Sequence, residues 1–295
     1  MSEKARAILI TGCSSGIGYT CAHGMRGRGW RVFVTARKEA DLEMLKAEGF
    51  ETFPLDYADH ASIAACASDV LAACGGRLDA LFNSGAYGQP GAVEDLEPKV
   101  LRAQLETNVI GWHDLTRRIV SAMRAQGSGR IVQCSSVLGM VALKWRGAYN
   151  ASKFAVEALA DTLRLELEGS GVHVVVIAPG PIRSRFRETA IRHLKANVDM
   201  QSSPHREEYA RQLKREEAKH AKGPTPPEKP GEGGKRGLLP QYKLGPDAVF
   251  DVLVHAVESP RPKPRYHVTA PTKLMAVARR ILPIRLLHRL AARVS

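Results

Sequence analysis

Tyr149 and Lys153 stand four residues apart in Tyr149-Asn-Ala-Ser-Lys153, at the start of a segment with helical spacing. Both side chains therefore leave one face of a helix. A phenol with a reference pKa of about 10 is a poor acid or base at neutral pH, and a fixed cation beside it is expected to lower that value toward the working range. Upstream, Ser135-Ser136 closes an apolar run that ends at Cys134. A serine hydroxyl at the end of such a strand would hold a carbonyl oxygen while the phenol protonates it. Taken singly, the Tyr/Lys pair suits helix-surface packing and Ser-Ser suits a turn. Their order and placement together point to acid–base chemistry on a carbonyl.

A second constellation lies near the N-terminus, Thr11-Gly12-Cys13-Ser14-Ser15-Gly16-Ile17-Gly18, between a strand-like run and a helix-like one. Three glycines at this spacing let the backbone turn sharply and approach a pyrophosphate, whose charge the helix N-terminus receives. A glycine-rich turn without a ligand is the plainer alternative. The end of the second strand discriminates between cofactors. A dinucleotide site for NAD places an acid there to accept from the ribose 2′-hydroxyl. Here the chain reads Val34-Thr35-Ala36-Arg37-Lys38, with no carboxylate and two cations. A guanidinium can bond a 2′-phosphate in bidentate fashion, so Arg37 and Lys38 favour NADP(H) over NAD(H), unless they merely solvate a loop.

These groups need a frame that brings strand ends together. Short apolar runs over 7–11, 31–35, 51–55, 80–83, 130–134 and 173–178 read as strands. Most are continuous rather than alternating, as in parallel strands covered on both faces. Helical stretches over 17–27, 40–47, 62–74, 104–126 and 149–168 lie between them, the last closed by Gly169 and Gly171. The alternation predicts an α/β fold with one doubly wound parallel sheet, whose carboxyl edge would gather the glycine turn and the serine pair. Beyond Pro179-Gly-Pro181 the spacing predicts a helical lid over about 187–219 and a flexible loop over 222–237. A helix over 248–257 and a final strand over 266–269 follow, giving a catalytic domain over 1–270 and a tail over 271–295.

Composition narrows the partners. The 295 residues are 44% apolar and 25% charged, which excludes a disordered or fibrous chain. The net charge is +13, but nine Lys and Arg and no Asp or Glu lie between Arg261 and Ser295. Surplus charge confined to a tail, with aromatics at only 6%, argues against nucleic-acid binding. Five cysteines with no CxxC spacing and no neighbouring His cluster suggest neither disulfides nor a metal site, so a reducing cytoplasm is expected. No signal-like segment and no apolar run of about 18 residues is present.

The chain resembles the short-chain dehydrogenases/reductases, in the branch combining a TGxxxGxG turn with a YxxxK pair; the resemblance is firm over about 5–185. It implies a Rossmann fold and assigns the catalytic serine, tyrosine and lysine roles to Ser136, Tyr149 and Lys153. Asn108, in Glu106-Thr-Asn-Val109, matches the fourth catalytic member, which holds a water linking the lysine to solvent. The resemblance gives Lys153 and Tyr149 contacts with the cofactor, Asp56 the adenine, and Pro179, Gly180, Ile182 and Ser184 the nicotinamide amide. Where the family commonly reads NNAG, this chain reads Asn83-Ser84-Gly85-Ala86, so the approach of Asn83 and Gly85 to the cofactor ribose is expected to differ. By resemblance the protein is also expected to be a homodimer or homotetramer.

The expected activity is NADPH-dependent, reversible reduction of an apolar aldehyde or ketone, with Tyr149 as general acid. The alternative is a cofactor sensor or membrane-peripheral scaffold on the same fold without catalysis. The tail contains Arg261-Pro-Lys-Pro-Arg-Tyr266 and Leu282-Pro-Ile-Arg-Leu286, similar to a subgroup of aldehyde reductases and hydroxysteroid or retinol dehydrogenase relatives. Its basic amphipathic pieces either lie at an anionic membrane surface or pack on the protein or a partner subunit. The apolar stretch 137–143 either lines a substrate cleft or packs as core.

Overall fold

The structure is a computed structural model that describes residues 5–220 and 244–294. Within them one parallel sheet runs in the order β3-β2-β1-β4-β5-β6-β7. Its strands are β1 (Ala7–Ile10), β2 (Arg31–Ala36), β3 (Glu51–Pro54), β4 (Ala80–Asn83), β5 (Gly129–Cys134), β6 (Val172–Ala178) and β7 (Arg265–His267). Ile8, Leu9 and Ile10 of β1 and Val174 to Ile177 of β6 are almost wholly buried, because helices cover both faces.

Right-handed crossovers put α1 (Gly16–Gly27) and α2 (Glu39–Ala47) on one face. Once the chain reverses after β3, α3 (His60–Ala73), α4 (Pro98–Leu105), α5 (Gly111–Ala125) and α6 (Gly147–Glu166) cover the other. The reversal opens a crevice between the carboxyl ends of β1 and β4, the place where such sheets bind ligands. Thr11 ties the two ends together, its Oγ1 accepting from the backbone N–H of Ser84 at 2.9 Å and of Gly85 at 3.2 Å.

Three expected elements take a different form. The helix expected over 104–126 is two helices, α4 opened by Pro98 at its first turn and α5, joined by one wide π-turn, Glu106–Ile110. The lid is α7 (Phe186–Asn197) and α8 (Arg206–His220), broken between them where Asp199 accepts from the N–H groups of Gln201 and Ser202 and Ser203 caps the next turn. The last strand stops at His267 because Thr269 turns out of the sheet to cap the following helix, accepting from Thr272. The loop expected over 222–237 lies outside the described residues.

After α9 (Asp247–Glu258), which packs against α1, the chain ends in α10 (Ala270–Ile281) and α11 (Ile284–Val294), separated at Pro283. Ala278, Leu287 and Ala291 of this tail are buried against Met140, Val141 and Ala178. The stretch 137–143 therefore packs under the tail, and the tail is layered on the catalytic body.

Gly12 has φ +69°, and a Cβ there would stand 2.4 Å from Gly85 Cα across the crevice. Gly27, at the exposed end of α1, has open space around its missing Cβ. Gly12→Ala is expected to cost about 2–4 kcal/mol through clash and left-handed strain. Gly27→Ala should gain about 0.5–1 kcal/mol by helix propensity. Thermal unfolding of both variants reads the two signs; a neutral Gly12→Ala contradicts the close approach.

Candidate active site

β5 delivers Ser135 and Ser136 to the carboxyl edge of the sheet, as a parallel strand must. Ser136 then caps a short 3₁₀ turn, Val137–Gly139, its Oγ accepting from Leu138 N at 3.1 Å. α6 begins at Gly147 and carries Tyr149 and Lys153 on one face, with the Ser136 side chain near enough to the Tyr149 phenol to influence it. Lys153 is buried, donating from Nζ to the Cys134 carbonyl at 2.8 Å. Its ammonium lies 4.2 Å from the centre of the Trp112 ring and 5.7 Å from that of Tyr149.

Asn108 sits in the π-turn, wholly buried. Such turns displace one residue from helical register and recur at functional sites. Here Asn108 pairs with the backbone of Tyr87, accepting from its N–H at 3.2 Å and donating to its carbonyl at 2.8 Å. It also donates to Ser152 Oγ at 3.2 Å, and Ser152 donates to the Tyr149 carbonyl. The four expected catalytic residues are thus brought together where the end of β5, the π-turn and α6 meet.

The electrostatics depart from the sequence expectation at Tyr149. Burial pushes its phenol well above the usual value, an effect reinforced by Cys134 and only partly opposed by the neighbouring Ser136 side chain. The expected lowering by Lys153 does not prevail, because the ring is out of water and the ammonium is turned to the Cys134 carbonyl. Lys153 itself falls from 10.5 to about 8, chiefly through burial, with Cys134 and Glu157 pulling the other way. The phenol is therefore held in its proton-donating form.

Beside this network lies a cleft of about 1060 Å³, lined by Gly12, Ser14, Ser15, Gly16, Ile17 and Gly18 of the glycine turn, by Arg37, Lys38 and Asp56, and by Ser84 to Tyr87. Its far wall is Ser184, Arg185 and Phe186 with the inner face of α7. Ser15, at the N-cap of α1, makes no side-chain cap and the first turn holds no acid, so the helix's free N–H groups face the cleft. Arg37 and Lys38 are exposed and form no ion pair among the described residues. Arg37 is near enough to His193 and Tyr87 to influence both. An uncapped helix end and two unpaired cations around one groove fit the phosphates of a dinucleotide.

Other expected cofactor residues are placed differently. The Asn83 side chain is turned inward, donating to Thr116 at 3.0 Å and Gln133 at 3.1 Å while its Oδ1 lies 2.8 Å from the Tyr57 hydroxyl. It braces β4 and does not line the cleft, which is reached instead by Ser84 and Gly85. Pro179, Gly180 and Ile182 also stand behind the lining; Gly180 packs on Thr269 and Thr272, and Ile182 bridges to Leu244.

Three side chains matter that sequence reasoning did not single out. Trp112 donates to the Gly85 carbonyl at 2.7 Å while its ring covers Lys153, joining the cleft backbone to the Lys153 ammonium. Phe186 lies edge-on to Tyr149 at 5.4 Å and forms part of the cleft wall beside it. Arg185 donates to the Ser14 carbonyl at 3.0 Å, latching the lid to the glycine turn. Nothing in spacing marks them, since each acts through a contact between distant elements.

A family model described as short chain dehydrogenase matches residues 6–195. The uncharacterized oxidoreductase YbbO of Escherichia coli K12 is 35% identical over 285 residues, 97% of this chain and 93% of its own. Dehydrogenase/reductase SDR family member 7B of Bos taurus is 35% identical over 196 residues, 62% of this chain and 60% of its own. A short-chain dehydrogenase from Streptomyces avermitilis has a TM-score of 0.72 at 28% identity, covering 98% of both chains. One from Burkholderia cenocepacia, solved in complex with NADP, shares the fold with a TM-score of 0.70 at 20% identity, over 98% of this chain and 99% of its own. The chain belongs to the short-chain dehydrogenase/reductase family and is an NAD(P)-dependent oxidoreductase.

Proposed function

We propose that this protein reduces an apolar aldehyde or ketone to the alcohol with NADPH, and runs in reverse as an alcohol dehydrogenase. The observation that carries the reading is the gathering of the buried Tyr149 phenol, the Ser136 hydroxyl and the buried Lys153 ammonium beside the cleft, next to Phe186. A dinucleotide fits the cleft's uncapped helix end and its cations, and when bound it supplies the hydride. Gly12 to Gly18 would receive the pyrophosphate, Arg37 and Lys38 the 2′-phosphate, Asp56 the adenine side, and Lys153 the nicotinamide ribose.

The chain's own contribution is to move a proton and to keep water out. Tyr149, held protonated by burial, delivers its proton to the developing alkoxide while Ser136 donates a hydrogen bond to the same oxygen. Lys153, with a pKa near 8, is poised to favour the phenolate that remains and to pass a proton onward. Asn108 braces the π-turn against α6 and supports that relay toward solvent. Phe186 supplies an apolar wall beside the reacting groups, which is why an apolar carbonyl compound is preferred. Five buried, unpaired cysteines accord with a cytoplasmic setting. Exposed Phe154, Leu159 and Leu165 along α6 support assembly as a homodimer or homotetramer.

Tyr149→Phe is expected to lower kcat by about 10²–10⁴-fold on an aldehyde and ketone panel while the NADPH Kd stays within about twofold of the parent. Substantial residual turnover contradicts the acid role. Lys153 gives a second test through stability. Below pH 8 both folded and unfolded lysine are charged, and the fold bears the full cost of burying the ammonium. Between about pH 8 and 10.5 the native state releases the proton first, so wild-type stability rises relative to Lys153→Met over that window. Denaturation of both proteins from pH 7 to pH 10.5 should shift their stability difference by about 3 kcal/mol in favour of wild type. A difference that is flat with pH places Lys153 in water.

A further inference from the structure

We propose that α10 and α11 dock the protein on an anionic lipid surface through the outer half of their apolar face. The apolar arc of these helices is wider than the surface it covers. Its inner half, Ala278 and Leu287 with half-buried Met275 and Leu282, packs on Met140, Val141 and Ala178. Its outer half is left in solvent: Leu274 is 64% exposed, Val277 55%, Ile281 72% and Ile284 61%. Leu274, Val277 and Ile281 recur at i, i+3 and i+7, so they form one ridge that Ile284 continues past Pro283. Intramolecular packing accounts for the inner half only.

Charge identifies the occupant. Lys273 and Arg280 follow the exposed border of the ridge on α10, and Arg285 and Arg289 stand exposed on α11. No Asp or Glu occurs from Arg261 onward. Apolar side chains of this size enter the acyl boundary to a shallow depth while the adjoining cations meet lipid phosphates, the arrangement of an interfacial helix. A second copy of the chain would bring the same cations against themselves across a two-fold contact, which disfavours self-association here. No described helix is long and apolar enough to cross a membrane, so the contact lies in the interface plane.

The test uses the full chain sedimented with vesicles of phosphatidylcholine alone or with about one-third phosphatidylserine. The bound fraction should be at least ~10-fold higher on the anionic vesicles and fall steeply in 0.5 M salt. Leu274→Glu/Ile281→Glu should abolish binding with an unchanged thermal midpoint, because neither side chain is part of the packed face. Lys273→Glu/Arg280→Glu should weaken it while keeping the ridge intact. Equal binding to both vesicles, or none to either, overturns the proposal. So does a concentration-dependent dimer that Leu274→Glu/Ile281→Glu dissolves, since the ridge would then serve a second copy. None of these readouts depends on catalytic turnover, so the proposal and the reductase reading fail separately.

Discussion

An ammonium kept out of water at the carboxyl edge of the sheet is the constraint that organises this molecule. Lys153 cannot be buried without compensation, since an isolated charge in a protein interior costs several kcal/mol. The compensation comes from three directions: the Cys134 carbonyl at the end of β5, the face of Trp112 from α5, and Glu157 one turn further along α6. Each partner fixes an element. Trp112 also holds the Gly85 carbonyl, which ties the lysine to the crevice between β1 and β4. Glu157 pairs in turn with Arg265 on β7, so the outermost strand is linked to the same charge.

The same burial sets the protonation state of Tyr149. Its phenol shares the dry pocket and is covered by Phe186, and the loss of water outweighs the neighbouring positive charge. A side chain in this condition serves as a proton donor and becomes a stable phenolate only when positive charge or hydrogen bonding around it increases. The lid contributes to this state directly. α7 carries both Phe186, over the tyrosine, and His193, stacked on Tyr87 at 4.3 Å. Tyr87 is held by Asn108, so lid, π-turn and α6 share one set of contacts.

Much of this was legible in the sequence, for identifiable reasons. Continuous apolar runs marked most of the six strands through β6 because helices cover both faces of the sheet there, half-exposed β3 being the exception, and the order of Ser136, Tyr149 and Lys153 reported the edge they share. The glycine turn was equally plain, since Gly12 touches Gly85 where no side chain fits. The π-turn was not legible: one extra residue in a helical turn leaves apolar spacing almost unchanged, and the segment read as one helix. Tyr149's electrostatics misled because the spacing gives the distance to a cation but not the cost of desolvation. Asn83 read as a cofactor contact through the family segment it resembles, whereas the side chains of Tyr57, Thr116 and Gln133 claim its amide.

The central claim is that the cleft beside this buried network takes a dinucleotide bearing a 2′-phosphate. Fluorescence titration of the purified protein with NADPH and with NADH tests it most directly, using wild type and Arg37→Asp side by side. The proposed reading predicts NADPH binding at least ~10-fold tighter than NADH in the wild type, with the preference lost or inverted when the guanidinium is replaced by a carboxylate. Binding of neither nucleotide, or a preference that Arg37→Asp leaves unchanged, would contradict it.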